Sequence, residues 1–149
     1  PAPWHSAAYA TELANRSACY LVARAGPDVV GYGGMWVIMD EAHITTVAVV
    51  PERQGRMVGS RLVLGMLEEA MLRGATRATL EVREHNVPAR RLYEAFGFHQ
   101  AAVRKNYYSD NGENAIVMWA DGIDRYDYSE LRARLRRRID REDDAGPGA

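Results

Sequence analysis

A chain of 149 residues holds one domain with a packed core and leaves no room for two of ordinary size. Its 47% apolar and 26% charged residues are the balance of a soluble globular protein, and a net charge of −1 exerts no global pull toward nucleic acid or anionic membrane. No apolar run approaches the roughly 18 residues of a membrane-spanning helix, and no charged-then-apolar leader is seen. The single cysteine, Cys19, cannot form an internal disulfide, which fits a reducing compartment. The expectation is a cytoplasmic protein without membrane attachment or direct nucleic-acid binding.

In chain order, residues 5–15 carry apolar side chains at helical spacing and predict a short helix. Cys19 to Ala25 reads as a strand, closed by the turn residues Gly26-Pro27-Asp28. Val29 to Ile38 is a second strand, loosened by three glycines. Asp40-Glu41 is expected as a hairpin turn into Ile44 to Val50, a β-branched run of the buried type. Beyond Pro51 the period changes. Val58, Leu62, Met66 and Ala70 recur every four residues, flanked by Val63, Leu67 and Met71, which predicts a helix with a broad apolar face ending near Arg73-Gly74. Residues 77–83 alternate as a strand, with Ala78, Leu80 and Val82 on one face and Thr79 and Glu81 on the other. Asn86-Val87-Pro88 opens a helix that turns Leu92 and Phe96 inward and stops at Gly97. Two strands, about 98–105 and 114–119, follow around the turn Ser109-Asp110-Asn111-Gly112. This mixed order with early hairpins predicts an α+β fold. From Asp124 the chain is arginine-rich, with Tyr128, Leu131, Leu135 and Ile139 as a thin apolar stripe. It is expected as a charged helical tail, 124–149, following a domain of 1–123 and disordered from Asp143 onward.

Two segments carry chemistry. Val47 to Ser60 joins a buried strand to a helix through a glycine-bearing loop, a junction that presents free backbone N–H groups and the helix dipole to an anion such as a pyrophosphate. A helix entry with glycines for tight packing reads equally well from these residues. The segment is neither a dinucleotide fingerprint nor a Walker loop. Glu81 stands on the polar face of its strand, where a carboxylate can take a proton from an amine, and Tyr93 lies in the next helix, where a phenol can return one. Each also reads as an ordinary surface or half-buried residue, and Asn86 as a plain N-cap. Cys19, alone on an apolar strand, reads as a structural thiol rather than a nucleophile.

Three blocks, TTVAVVPERQGRMVGSRLV, LEVREHNVPARRLYEAFGF and VRKNYYSDNGENAIVMW, match in order and spacing over about residues 3–119. Together they resemble the GNAT superfamily of acetyl-CoA-dependent N-acetyltransferases, and within it the RimI-like branch that acetylates the N-terminal alanine of a small-subunit ribosomal protein. The resemblance implies a mixed, mostly antiparallel sheet flanked by helices, with acetyl-CoA as co-substrate and no metal. The acceptor it implies is a protein N-terminus. It implies Glu81 as general base and Tyr93 as general acid, with the backbone of Val47, Ala48 and Val49 holding the pantetheine arm as an added strand and offering an N–H to the oxyanion. Gln54, Gly55, Arg56, Met57, Val58, Gly59 and Ser60 would cradle the pyrophosphate, and Asn86 would meet the cofactor from the other side.

The chain departs from the family in two places. Met57 stands at the first glycine of the usual Gln-x-x-Gly-x-Gly turn, which is harmless if its φ is negative and costly if positive. RimI-like chains also carry a leading strand and part of a helix before the Pro3-Trp4 pair, so an N-terminal strand is expected to be missing here. Two other readings fit the same residues. One is a GNAT enzyme acting on lysine or a small-molecule amine; the other is a non-catalytic acyl-CoA-binding module, kept open by Met57.

Overall fold

The computed structural model describes residues 17–145, so the helix expected over 5–15 lies outside the described residues. Strands β1 (Ala18–Ala25), β2 (Asp28–Ile38) and β3 (Glu41–Val49) lead through a 3-10 turn at Pro51–Arg53 into helix α1 (Val58–Leu72). Strand β4 (Arg77–Arg83), helix α2 (Val87–Ala95), strands β5 (His99–Arg104) and β6 (Ala115–Asp121) and helix α3 (Tyr126–Ala145) complete the chain. The strands form one sheet in the order β1-β2-β3-β4-β6-β5, antiparallel everywhere except between β3 and β4. This is the expected α+β arrangement. The β2–β3 turn sits one residue earlier than expected, at Met39-Asp40, because Glu41 pairs with Ile38 as the first residue of β3. No helix among the described residues is long and apolar enough to cross a membrane.

One core gathers residues from all three helices. Val63, Leu64, Met66 and Leu67 of α1, Tyr93 of α2, and Tyr128, Leu135 and Ile139 of α3 join Ile44, Leu80, Val82, Ile116 and Met118 of the sheet. On β4 the alternation behaves as the sequence predicts, with Ala78, Leu80 and Val82 buried. Thr79 is buried too, on the opposite face, its hydroxyl donating to the Met118 carbonyl at 2.9 Å.

Strand β3 carries the feature that makes room for a site. Its pairing with β2 shifts between Gly34↔Thr46 and Met35↔Ile44, so Thr45 is an extra residue, a β-bulge. Ahead of the bulge Ala42 and Ile44 face the core; beyond it Val47 and Val49 pack against the apolar clusters, so the inward parity moves from even to odd positions. The same point ends the pairing with β4, which runs only from Glu41↔Arg77 to Ile44↔Leu80. Past Ile44 the two parallel strands part. On its other edge β3 stays paired with β2 as far as Gly31↔Val49. Gly31 is needed there because a Cβ would lie 2.8 Å from the Ala48 carbonyl oxygen.

The arginine-rich tail is part of this domain's packing. Its apolar stripe is narrow, yet spacing at three and four residues puts Tyr128, Leu135 and Ile139 on one face, and that face is buried. The Tyr128 hydroxyl donates to the Phe96 carbonyl at the end of α2. Gly97, at φ +84°, has no Cβ to crowd the Tyr128 ring, 3.3 Å from where one would stand. Arg132 and Arg136 both reach Glu68 of α1. The helix continues through Asp143 and Asp144 to Ala145, so the disorder expected from Asp143 does not begin there. Ile139 is only 2% exposed. Truncating it to alanine is expected to destabilise the fold by about 2–4 kcal/mol, whereas Arg138→Ala, on the exposed face, should change stability by less than about 0.5 kcal/mol. Urea denaturation of the two variants checks this.

Candidate active site

The parting of β3 and β4 leaves the backbone groups of Val47 and Val49, which point away from β2, without a strand opposite them, while those of Ala48 face β2. A cleft of about 600 Å³ begins at this free edge. It is lined by Val47, Val49, Arg53, Gln54, Gly55, Met57, Val58, Gly59 and Ser60 on one side and by Asn86, Pro88, Ala89, Leu92 and Tyr93 on the other. The α1 terminus forms its end. The N–H of Arg61 makes the first intrahelical bond, to the Met57 carbonyl, so those of Val58, Gly59 and Ser60 have no partner within the helix. Three such donors at the positive end of the dipole suit a phosphate group. Gln54 donates from its side-chain amide to the Val49 carbonyl at 3.2 Å, tying the loop back to the strand.

Met57 caps α1 in the left-handed region, at φ +62°, with no side-chain capping bond. The turn therefore requires the conformation for which glycine is suited, and a side chain there costs about 1–2 kcal/mol. Some of that cost is offset, because Met57 is half-buried against the main core.

A second cavity, about 340 Å³, continues from the first. Val47, Asn86, Ala89 and Tyr93 line both, and the second adds Thr46, Glu81, Arg83 and Tyr108. Glu81 projects from the polar face of β4, its side chain 19% exposed, and its Oε1 lies 2.9 Å from Nε2 of His43 on β3. Tyr93, on the second turn of α2, is 8% exposed. Its hydroxyl has no hydrogen-bond partner among the described residues, and the residue lines both cavities. Burial, with a smaller contribution from neighbouring Tyr108, pushes its pKa up to about 12, so the phenol keeps its proton throughout the neutral range. Tyr108 is also shifted upward, chiefly by burial. The Arg83 guanidinium lies 4.0 Å above its ring and binds Asp110 and Glu113, which fixes the β5–β6 loop over this end of the cleft.

The structure thus brings Glu81, Tyr93, Asn86, Val47, Val49, Gln54, Gly55, Met57, Val58, Gly59 and Ser60 to two joined cavities. Ala48 and Arg56 line neither. Asn86 acts as the N-cap of α2, its Oδ1 accepting from the Ala89 N–H at 3.2 Å, and still lines the cleft. Sequence reasoning missed His43, Tyr108 and the Pro88-Ala89-Leu92 wall. His43 gave no signal of its own, since the link to Glu81 exists only through the parallel pairing of β3 and β4. Tyr108 had one, as part of the NYY sequence of the third matching block.

The family model for the Acetyltransferase (GNAT) family matches residues 1–98. A Bacillus subtilis (strain 168) protein, provisionally named a [ribosomal protein bS18]-alanine N-acetyltransferase, is 42% identical over 118 residues, 78% of each chain. The N-alpha-acetyltransferase RimI of Mycobacterium tuberculosis is 37% identical over 126 residues, 82% of this chain and 78% of its own. Among solved structures, the ribosomal-protein-S18-alanine N-acetyltransferase of Escherichia coli superposes with a TM-score of 0.72 at 30% identity, covering 80% of this chain and 78% of the other.

If the positive φ at Met57 is intrinsic to the turn, glycine should be better there than alanine. Met57→Gly loses the packing and the strain, whereas Met57→Ala loses the packing alone. Met57→Gly is therefore expected to be the more stable of the two by about 1 kcal/mol, the reverse of the usual helix order. Thermal or urea denaturation of both variants reads the sign directly. With its parted parallel strands, free N–H groups at the α1 terminus and relatives that agree along most of their length, this chain belongs to the GNAT acetyltransferases, in the RimI-like branch.

Proposed function

We propose that the chain transfers the acetyl group of acetyl-CoA to the α-amino group of a protein N-terminus, with the N-terminal alanine of a small-subunit ribosomal protein as acceptor. GNAT acetyltransferases use acetyl-CoA, and the observation that carries the reading is the free edge of β3 opening onto a cavity that holds both Glu81 and Tyr93. The relatives named for bS18-alanine acetylation supply the acceptor.

The pantetheine amides lie along Val47–Val49 as an added strand, and the pyrophosphate meets the N–H groups of Val58 to Ser60. The acceptor enters at the Glu81 and Tyr108 end. Glu81, directly or through one water, takes the proton that the ammonium must lose before nitrogen can attack. The amine nitrogen then bonds to the thioester carbon while the carbonyl π electrons move to oxygen, and a free N–H of β3 receives the oxyanion. When the intermediate collapses the carbonyl re-forms and the C–S bond breaks; Tyr93 gives its proton to the departing sulfur, and the extra proton on nitrogen passes through solvent to restore the phenol, leaving the amide and the CoA thiol. A proton held as tightly as this phenol's is not lost to solvent beforehand.

The acceptor class follows from the same chemistry. An α-amino group titrates near 7.8 and a lysine near 10.4, so freeing the lysine amine costs roughly 3.5 kcal/mol more. A single carboxylate suits the easier amine. The relatives reported above are named for N-terminal acetylation, which favours that acceptor over lysine or a small-molecule amine. Met57 stands at the costly positive φ, yet it leaves the backbone N–H groups of the turn in place for a cofactor.

Incubation with acetyl-CoA and a short peptide beginning Ala-Arg, followed by mass spectrometry, is expected to place one acetyl group on the α-amine. A blocked-N-terminus peptide bearing lysine should stay unmodified. Glu81→Gln and Tyr93→Phe should each lower kcat by at least about tenfold. Acetyl on lysine alone would overturn the acceptor, and full activity in both variants would overturn the acid–base roles.

A further inference from the structure

We infer that His43 is a positioning residue for the reaction, holding one oxygen of the Glu81 carboxylate so that the other serves the acceptor amine; the inference rests on the role proposed for Glu81. The two residues come together through the sheet. β3 and β4 are in register at His43↔Thr79 and Ile44↔Leu80, the last pair before the strands part. His43 and Thr79 share the sheet face opposite the helices, and Glu81 is two residues further along β4 on that same face. The imidazole therefore reaches forward, across the point where main-chain bonding stops, and its Nε2 meets Glu81 Oε1 at 2.9 Å.

The chemistry of the pair decides its direction. A carboxylate only accepts, so when Glu81 is ionised the shared proton lies on Nε2 and the histidine donates. That bond occupies Oε1 and leaves Oε2 for the ammonium or an intervening water. A glutamate side chain on a strand is otherwise free to turn about its terminal torsion, and a base displaced by as little as an ångström loses much of its effectiveness. The surroundings agree with a tether rather than a surface ion pair. Glu81 is the more enclosed partner, with its side chain 19% exposed against 42% for His43. The carboxylate that neighbours His43 on its own strand face, Glu41, is engaged by Arg77 at 3.6 Å and does not compete for Nε2.

The experiment measures steady-state transfer from acetyl-CoA to the Ala-Arg peptide by the whole chain and by His43→Ala, His43→Gln, Glu81→Gln and the double variant His43→Ala/Glu81→Gln. CoA affinity is measured alongside to establish that each variant is folded. His43→Ala is expected to lower kcat about tenfold with the peptide KM and CoA affinity unchanged. His43→Gln, whose side-chain amide can still donate, should recover to within about threefold of the parent. In the Glu81→Gln background His43→Ala should have no further effect, because its action passes through the carboxylate. With Glu81→Gln impaired, an unchanged kcat in His43→Ala, or an equal loss in both backgrounds, would overturn the inference and leave the base intact. An undiminished rate in Glu81→Gln would instead overturn the base assignment, and this inference with it.

Discussion

The arrangement depends on a failure of pairing. Parallel strands β3 and β4 bond over four residue pairs and then separate, although both continue. A β-bulge at Thr45 supplies the bend on the β3 side. Unpaired backbone groups inside a protein carry a free-energy penalty, and the open edge at Val47–Val49 avoids it by facing a cleft. The same bulge shifts the inward parity of β3, which keeps Val47 and Val49 against the core while their outer peptide groups face the gap.

Everything around the gap is held from behind. α1 is buried along six positions from Leu62 to Ala70, so its N-terminal donors are presented by a rigid element. α2 is fixed by the Asn86 cap at its start and by Phe96, fully buried, at its end. α3 then locks that end through Tyr128 and reaches α1 through Glu68. Tyr93 is thus carried on a helix secured at both ends, and its burial holds the phenolic proton. The proposed transfer needs fixed donors on one side of the thioester and a base on the other, and this packing holds Glu81, Tyr93 and the α1 terminus in fixed relation for those roles.

Much of this was legible in the residues. The alternation on β4, the four-residue spacing on α1 and the Asn86-Val87-Pro88 helix start each carry their own period or cap, and each element formed where that signal put it. The glycine-bearing turn ahead of α1 and the candidates Glu81 and Tyr93 were visible as residue types at suitable places, with family resemblance narrowing the choice. What was not legible depended on contacts between distant segments. His43 meets Glu81 only because β3 and β4 run in parallel. The sign of φ at Met57 is set by how the loop enters α1, not by methionine. The tail read as a charged helix apart from the domain because its stripe is thin and its arginines many, yet burying Ile139, Leu135 and Tyr128 was enough to seat it, with Glu68 taking two of the arginines.

The free edge of β3 and the first turn of α1 together form the proposed cofactor site. Amide hydrogen exchange with and without CoA tests it most directly, residue by residue. Added CoA is expected to slow exchange selectively at the β3 edge within Val47–Val49 and at Val58, Gly59 and Ser60, while amides in β1 and α3 keep their rates. Saturating CoA with no added protection at those positions, or with protection centred elsewhere, would contradict it.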